Sequence, residues 1–412
     1  MMRIWIVVSL LLSGLILVAC QNSAPTPIPP PPTPLEEIVM GTAEASPTVT
    51  TTAPNATPDA VPVEATQAPP PTIAPLPTST ADGGAAPQVV GIITADDFGT
   101  DRNPLTGELV ENPDNLQRRP IAIKLSNAPA KHTRPQSGLN DADIIFEHTT
   151  EGNLTRFTAI FYGNTPEKIG PVRSARLIDL ELPAMYDAAL AYSGSSKGVA
   201  ERLRNSDFRP RILYAWEKGY YRTEEDKPVE HTLYGNPDLL WEALADLEQN
   251  VPPALTSTNV FSDEAPPGGT PAGSINIDYN WETVDWHYDG ISGRYKRWAD
   301  GQIHNDGNSG EQIAVSNVII ISPFHAFDGN ICEQVNKDGT CAAYSVEVQL
   351  WGTGSAKLFR DGQLYNVTWH RENRGDSLTF TDSAGQPFPL KIGNSWVQIV
   401  PTWLKNPVTV SS

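Results

Sequence analysis

Apolar and polar positions change period several times along this chain, and each change marks an element. The run Ile121 to Leu125 inside RRPIAIKLSN is short, apolar and bounded by polar residues, as a buried strand requires. DADIIFEHTTEGNLTRFTAIFYG reads as two strands around a turn near Glu151-Gly152-Asn153. ARLIDLELPAMYD is helical with an interruption at Pro183. AALAYSG follows as a strand, then a Ser/Gly loop and the helical KGVAERLRNSD. In NPDLLWEALADLEQ the residues Leu239, Leu240, Ala243, Leu244 and Leu247 keep a helical period behind Asn236, a cap residue. Strands and helices mixed in this order predict an N-terminal α/β or α+β domain with a mixed sheet over residues 91–250.

Residues 251–272, VPPALTSTNVFSDEAPPGGTPA, are rich in Pro, Gly and Ser and read as an interdomain linker. Beyond them the period is two. WETVDWHYDG alternates Val284, Trp286 and Tyr288 with Asp285, His287 and Asp289. VSNVIIIS, YSVEVQLW, AKLFRDGQLYNVTWHR and WVQIVPTW continue the pattern, with Asp361-Gly362 as a hairpin turn. Residues 273–412 are therefore expected to form a mainly antiparallel β domain.

The first ninety residues belong to neither pattern. Residues 1–20 carry Arg3, an apolar run from Ile4 and the exit Leu17-Val18-Ala19-Cys20, too short for a spanning helix and suited to an export signal. That exit resembles a bacterial lipobox. The resemblance implies cleavage before Cys20, a lipid on its sulfur, and anchoring to a membrane outside the cytoplasm. Residues 21–90 hold no Lys, Arg or aromatic residue and are dominated by Pro, Thr and Ala. They cannot bury enough apolar surface to offset the entropy of ordering, so a disordered tether is expected. At roughly 3.1 Å per residue it reaches about 200 Å at most.

With Cys20 lipidated, two cysteines remain. Cys332 and Cys341 flank EQVNKDGT, whose Asp338-Gly339 is a turn signal, so outside the cytoplasm a disulfide across a hairpin is expected. No metal site and no cofactor are expected. The net charge of −19 disfavours nucleic acid as a partner. Anion recognition would have to be local.

RPIAIKLSN, RPQSGLNDADIIFEHTTEGNLTRFTAIF, EKIGPVRSARLIDLEL and KLFRDGQLYNVTWHR together resemble the YerB-like bacterial lipoproteins, a family with N- and C-terminal domains of unknown function, DUF3048. The resemblance covers most of residues 100–402. It implies an exported, membrane-anchored protein of the bacterial envelope and supplies no catalytic set.

The chemistry worth weighing gathers around IGPVRSARLIDLELP. Gly170-Pro171 reads as a turn and Ser174 as an N-cap, which puts Arg173 and Arg176 at the start of a helix. Cations are unfavourable there without a negative partner, either a carboxylate of the chain or a ligand. A loop at Glu151-Gly152 pairs Glu147 with Arg156; a turn at Gly152-Asn153 faces Glu147 with Thr158 and leaves it to seek Arg173 or Arg176. Glu151 could serve likewise, and Asp179 can pair with Arg176 at the surface. SGSSKG adds Ser195, Ser196 and Lys197 at a strand-to-helix turn that suits phosphate or carboxylate.

The leading reading is a lipid-anchored extracytoplasmic protein binding an anionic envelope ligand through Arg173, Arg176, Arg156, Ser195, Ser196 and Lys197. A hydrolase of envelope polymers ranks below it, with Glu147 or Glu151 as acid or base, His231 as shuttle and the arginines stabilising charge. A third reading is purely structural, the arginines serving internal acids.

Overall fold

The strand Ile121–Ser126 is the start of a sheet to which both halves of the chain contribute. The computed structural model describes residues 91–412, so the expected export signal with Cys20 and the 21–90 tether lie outside the described residues. Among the described residues no helix is long and apolar enough to cross a membrane.

The sheet has eleven strands. From one edge its path runs Thr379–Thr381, Gln363–Arg371, Gly352–Arg360, Asn317–Ile321, Ser395–Ile399, Ile144–Thr149, Thr155–Phe161, Ile121–Ser126, Ala189–Tyr192 and Ile212–Tyr214. Thr270–Pro271 pairs off this path with residues 363–364. Ser395–Ile399 lies parallel between Ile144–Thr149 and Asn317–Ile321. Ile121–Ser126, Ala189–Tyr192 and Ile212–Tyr214 are also mutually parallel. Thr155–Phe161 runs antiparallel to both its neighbours. The parallel strands therefore all point one way, and their carboxyl ends line one edge of the sheet.

One face of this sheet packs Ile123, Phe157, Phe359 and Trp396 against Ile275, Trp286 and Tyr295 of a second, six-stranded antiparallel sheet. The opposite face carries Phe146, Ile319 and Ile399 in one cluster, and Leu190 and Tyr192 beneath Val199 and Leu203 of the helix Lys197–Arg204 in another. The fold class is thus a mixed sheet with helices in the N-terminal part, followed by mostly antiparallel strands.

A separate hairpin, His325–Val335 with Cys341–Val348, carries a disulfide between Cys332 and Cys341, Cα atoms 5.7 Å apart. Ile331 of this hairpin presses on Gly198, where an added Cβ would sit 2.7 Å from an Ile331 carbon, so only glycine admits the contact. The Asp361-Gly362 turn forms as expected, with φ of +53° and +71° closing Gly352–Arg360 onto Gln363–Arg371.

Three local expectations are corrected. Thr149 pairs with Thr155 across a five-residue connection, so Glu147 faces Phe157 and His148 faces Arg156; neither two-residue loop forms. Ser174 does not cap a helix. Arg176 itself precedes a short 3-10 turn, Leu177–Leu180, and its backbone N–H donates to Asp179 Oδ2 at 2.7 Å. Asp179 is fully buried rather than paired with the Arg176 guanidinium at the surface.

Candidate anion site

Pro171 to Ala175 sits where Ile121–Ser126 and Ala189–Tyr192 end. Arg173 N–H donates to the Lys124 carbonyl at 2.9 Å, and its own carbonyl accepts from Ser193 N–H at 3.0 Å. Leu125 and Val172 form an antiparallel bridge. This wedge holds Arg173 at the carboxyl ends of two parallel strands, the edge at which ligands bind in such sheets.

Beneath it lies a buried polar cluster that sequence reasoning missed. Lys124 Nζ donates to Asp179 at 2.9 Å, to Thr158 Oγ1 at 3.0 Å and to His148 Nε2 at 2.5 Å. All three ammonium protons are thereby used. Burial lowers the Lys124 pKa to about 8 although Asp179 opposes the shift. Burial, then the Lys124 charge, holds His148 well below its usual value, so it accepts at Nε2, and its Nδ1 faces the Thr149 carbonyl at 3.3 Å. A lysine inside IAIKLS and a histidine inside IIFEHT were the visible signals, since such residues are rarely buried unpaired.

Above this cluster stand three guanidiniums. Arg176 donates to both oxygens of Glu151, Nε to Oε2 at 2.7 Å, and lies 3.5 Å from Glu333 Oε2. Burial works against its charge, but Glu151 and Glu333 outweigh it and leave its pKa raised. Arg156 donates to the Ser174 carbonyl at 2.9 Å and lies 3.7 Å from Glu151. Burial, then the charge of Arg176, lowers its pKa to about 9. Arg173 is different. Its half-buried guanidinium has no hydrogen bond or ion pair among the described residues. Burial lowers its pKa, the exposed Glu230 opposes that shift, and Arg176 adds to it.

Lys124, Arg156 and Arg176 are met by the buried or nearly buried acids Asp179, Glu151 and Glu333, whereas the acid that acts most on Arg173 is the exposed Glu230, with which it forms no ion pair.

The remaining expected residues are placed as follows. Ser196 caps the helix Lys197–Arg204, accepting from Val199 N–H at 3.4 Å, and donates to Glu333 Oε1 at 3.0 Å. Glu333, brought in by the disulfide hairpin, had no signal in the sequence. Ser195 lies beside the Tyr192 hydroxyl, and Lys197 is exposed at the rim. His231 stacks on His132 with ring centres 5.7 Å apart; burial, then Arg173, lowers its pKa to about 4. Glu147 is elsewhere in function: fully buried, it accepts from Arg297 at 2.9 Å and from Trp396 Nε1 at 3.0 Å. Glu147 and His231 are not brought together. Among the described residues no group of three or more His, Cys, Asp or Glu could hold a metal ion.

An open groove of about 600 Å³ lies under Ser355, Lys357, Asn366 and Thr368, five strands along the sheet from Ile121–Ser126. At about 4.8 Å per strand that is roughly 24 Å from the arginines. It holds one cation, Lys357, whereas the arginine cluster gathers several charged groups and is the better candidate.

The sheet shared by the two halves of the chain is built from two matched domains. Residues 105–250 match the N-terminal domain, and residues 275–397 the C-terminal domain, of the DUF3048 protein of unknown function, and the chain belongs to this family. It is 30% identical over 308 residues, 72% of this chain and 86% of the relative, to the Bacillus subtilis (strain 168) protein named "Putative lipoprotein YerB". The crystal structure of YerB from Bacillus subtilis superposes with a TM-score of 0.61 at 28% identity, covering 76% of this chain and 99% of that one.

Proposed function

We propose that this protein is a lipid-anchored lipoprotein of the bacterial envelope that binds an anionic envelope ligand at the carboxyl-edge crevice, with Arg173 as the contacting cation. The single observation supporting this is the unpaired, half-buried Arg173 guanidinium beside Arg156 and Arg176, whose own charges are met by Glu151 and Glu333. Arg156 and Arg176 shape the positive potential, and Arg173 supplies a free donor fork for phosphate or carboxylate. The lipid attachment rests on the Cys20 lipobox and on the name of the YerB relative. The 21–90 segment serves as the tether and residues 91–412 as the folded binding part. The test is a screen of the full chain against wall fragments and phosphate esters, repeated with Arg173→Ala. Binding lost while folding is kept supports the reading; a chain that binds none of these anions contradicts it.

A further inference from the structure

Trp216 is the most exposed tryptophan of the described residues at 76%, and it is not loose. Its indole lies flat on Tyr214, ring centres 4.4 Å apart and planes 4° from parallel, so one face is covered and the other is open to solvent. Tyr214 is in turn braced by Tyr192, ring centres 5.9 Å apart. Such an indole is held rigid before any ligand arrives, and binding to it costs little side-chain entropy.

Its place in the fold is informative. Tyr214 ends the edge strand Ile212–Tyr214 and pairs with Tyr192, which ends Ala189–Tyr192. Ser193, the next residue, donates its N–H to the Arg173 carbonyl at 3.0 Å. Tyr214, which carries the platform, and the Lys124 carbonyl that holds the Arg173 backbone therefore lie on strands two spacings apart, about 10 Å, at the same carboxyl edge. Strand alternation puts Lys124, Tyr192 and Tyr214 on one face of the sheet, and the Arg173 backbone is held at the end of that group by the Lys124 carbonyl and Ser193 N–H. Ser195 lies beside the Tyr192 hydroxyl.

Building on the anion-site reading, we infer that the ligand is an acidic saccharide: one sugar ring stacks its C–H face on Trp216 while a carboxylate or phosphate on a neighbouring ring is gripped by Arg173. A flat open indole fits a ring with an apolar face, and the crevice charge selects an acidic one. A stacking platform beside cations also suits single-stranded nucleic acid, but a net charge of −19 opposes a polyanion of that density.

Calorimetric titration of the full chain with tri-galacturonate, maltotriose and inorganic phosphate tests this. The wild type should bind tri-galacturonate most tightly, and Trp216→Ala should weaken it about tenfold, the loss expected for one stacked ring. Phosphate affinity should stay unchanged in Trp216→Ala, and Trp216→Phe should recover most of the trisaccharide affinity. Arg173→Gln should weaken both acidic probes. Equal tri-galacturonate affinity in wild type and Trp216→Ala, with phosphate binding that still needs Arg173, overturns the saccharide assignment alone. Tri-galacturonate binding no tighter than maltotriose overturns it too. Absence of heat with both acidic probes overturns the anion site with it.

Discussion

The Arg176 guanidinium donates to both carboxylate oxygens of Glu151, with Nε 2.7 Å from Oε2. Arg173, three residues earlier, is given no such acid. The two arginines look equivalent in GPVRSAR, yet the fold makes one a structural cation and leaves the other free. Removing one member of a buried pair strands its partner's charge. Arg176→Ala should therefore lower stability by about 3 kcal/mol in a urea melt. A loss no larger than that of an ordinary surface substitution would show that Glu151 does not depend on this contact.

His231 should make the site sensitive to acid. Burial, then Arg173, holds its folded pKa at about 4 against an ordinary 6.5. Between these values the unfolded chain takes up the proton and the folded one does not, so stability rises with pH across this window. The contribution of His231 is complete above pH 6.5 and is lost as pH falls toward 4. An anion on Arg173 would relieve the positive field, so phosphate should raise the His231 pKa in an NMR titration. An unmoved titration curve at saturating phosphate would place the anion elsewhere.

Glu147 and Arg297 are both fully buried and bonded at 2.9 Å. Arg297 also lies 3.7 Å from Glu282, whose pKa is raised by burial and then by Glu147. Glu147→Ala should cost about 3–5 kcal/mol, and the double substitution Glu147→Leu, Arg297→Met should cost less than Glu147→Ala alone. Chemical denaturation of the two variants measures this. A double substitution that costs as much as Glu147→Ala or more would mean that the stranded charge is not the source of the loss.

Much of the fold was readable because its strands keep strict periods. Ile121–Ser126, Ala189–Tyr192, Thr283–Asp289 and the Asp361-Gly362 hairpin lie where the pattern puts them. Period two, however, specifies faces and not neighbours. WVQIVPTW announced a strand, but nothing in it says that Ser395–Ile399 slides between Ile144–Thr149 and Asn317–Ile321. The hairpin register also escaped, because Gly152 and Asn153 both take positive φ inside a longer connection, of 73° and 61°. At the site, Arg173, Arg176 and Glu151 were visible, but that Glu151 meets Arg176 and not Arg173 depends on the five-residue connection from Thr149 to Thr155, which the pattern did not specify.

The Cys332–Cys341 staple should matter locally. Closing a loop with a sequence separation of 9 is worth about 2–3 kcal/mol to the hairpin by chain entropy. Cys332→Ser with Cys341→Ser should speed hydrogen exchange over 325–348 and free Ser196 from Glu333. Unchanged exchange there would mean that packing on Gly198 alone holds the hairpin.

The proposed lipid anchor has its own test. Cys20→Ser should move the protein from the membrane fraction to the soluble one and abolish incorporation of radiolabelled palmitate. Labelling that survives the substitution would remove Cys20 from its assigned role.

The most direct measurement compares Arg173→Ala with the wild type by thermal melting and by calorimetric titration with inorganic phosphate. An unpaired side chain predicts a melt within about 0.5 kcal/mol of wild type and a loss of the binding heat. Unchanged phosphate binding, or destabilisation as large as that of Arg176→Ala, would contradict the claim that Arg173 is kept free for a ligand.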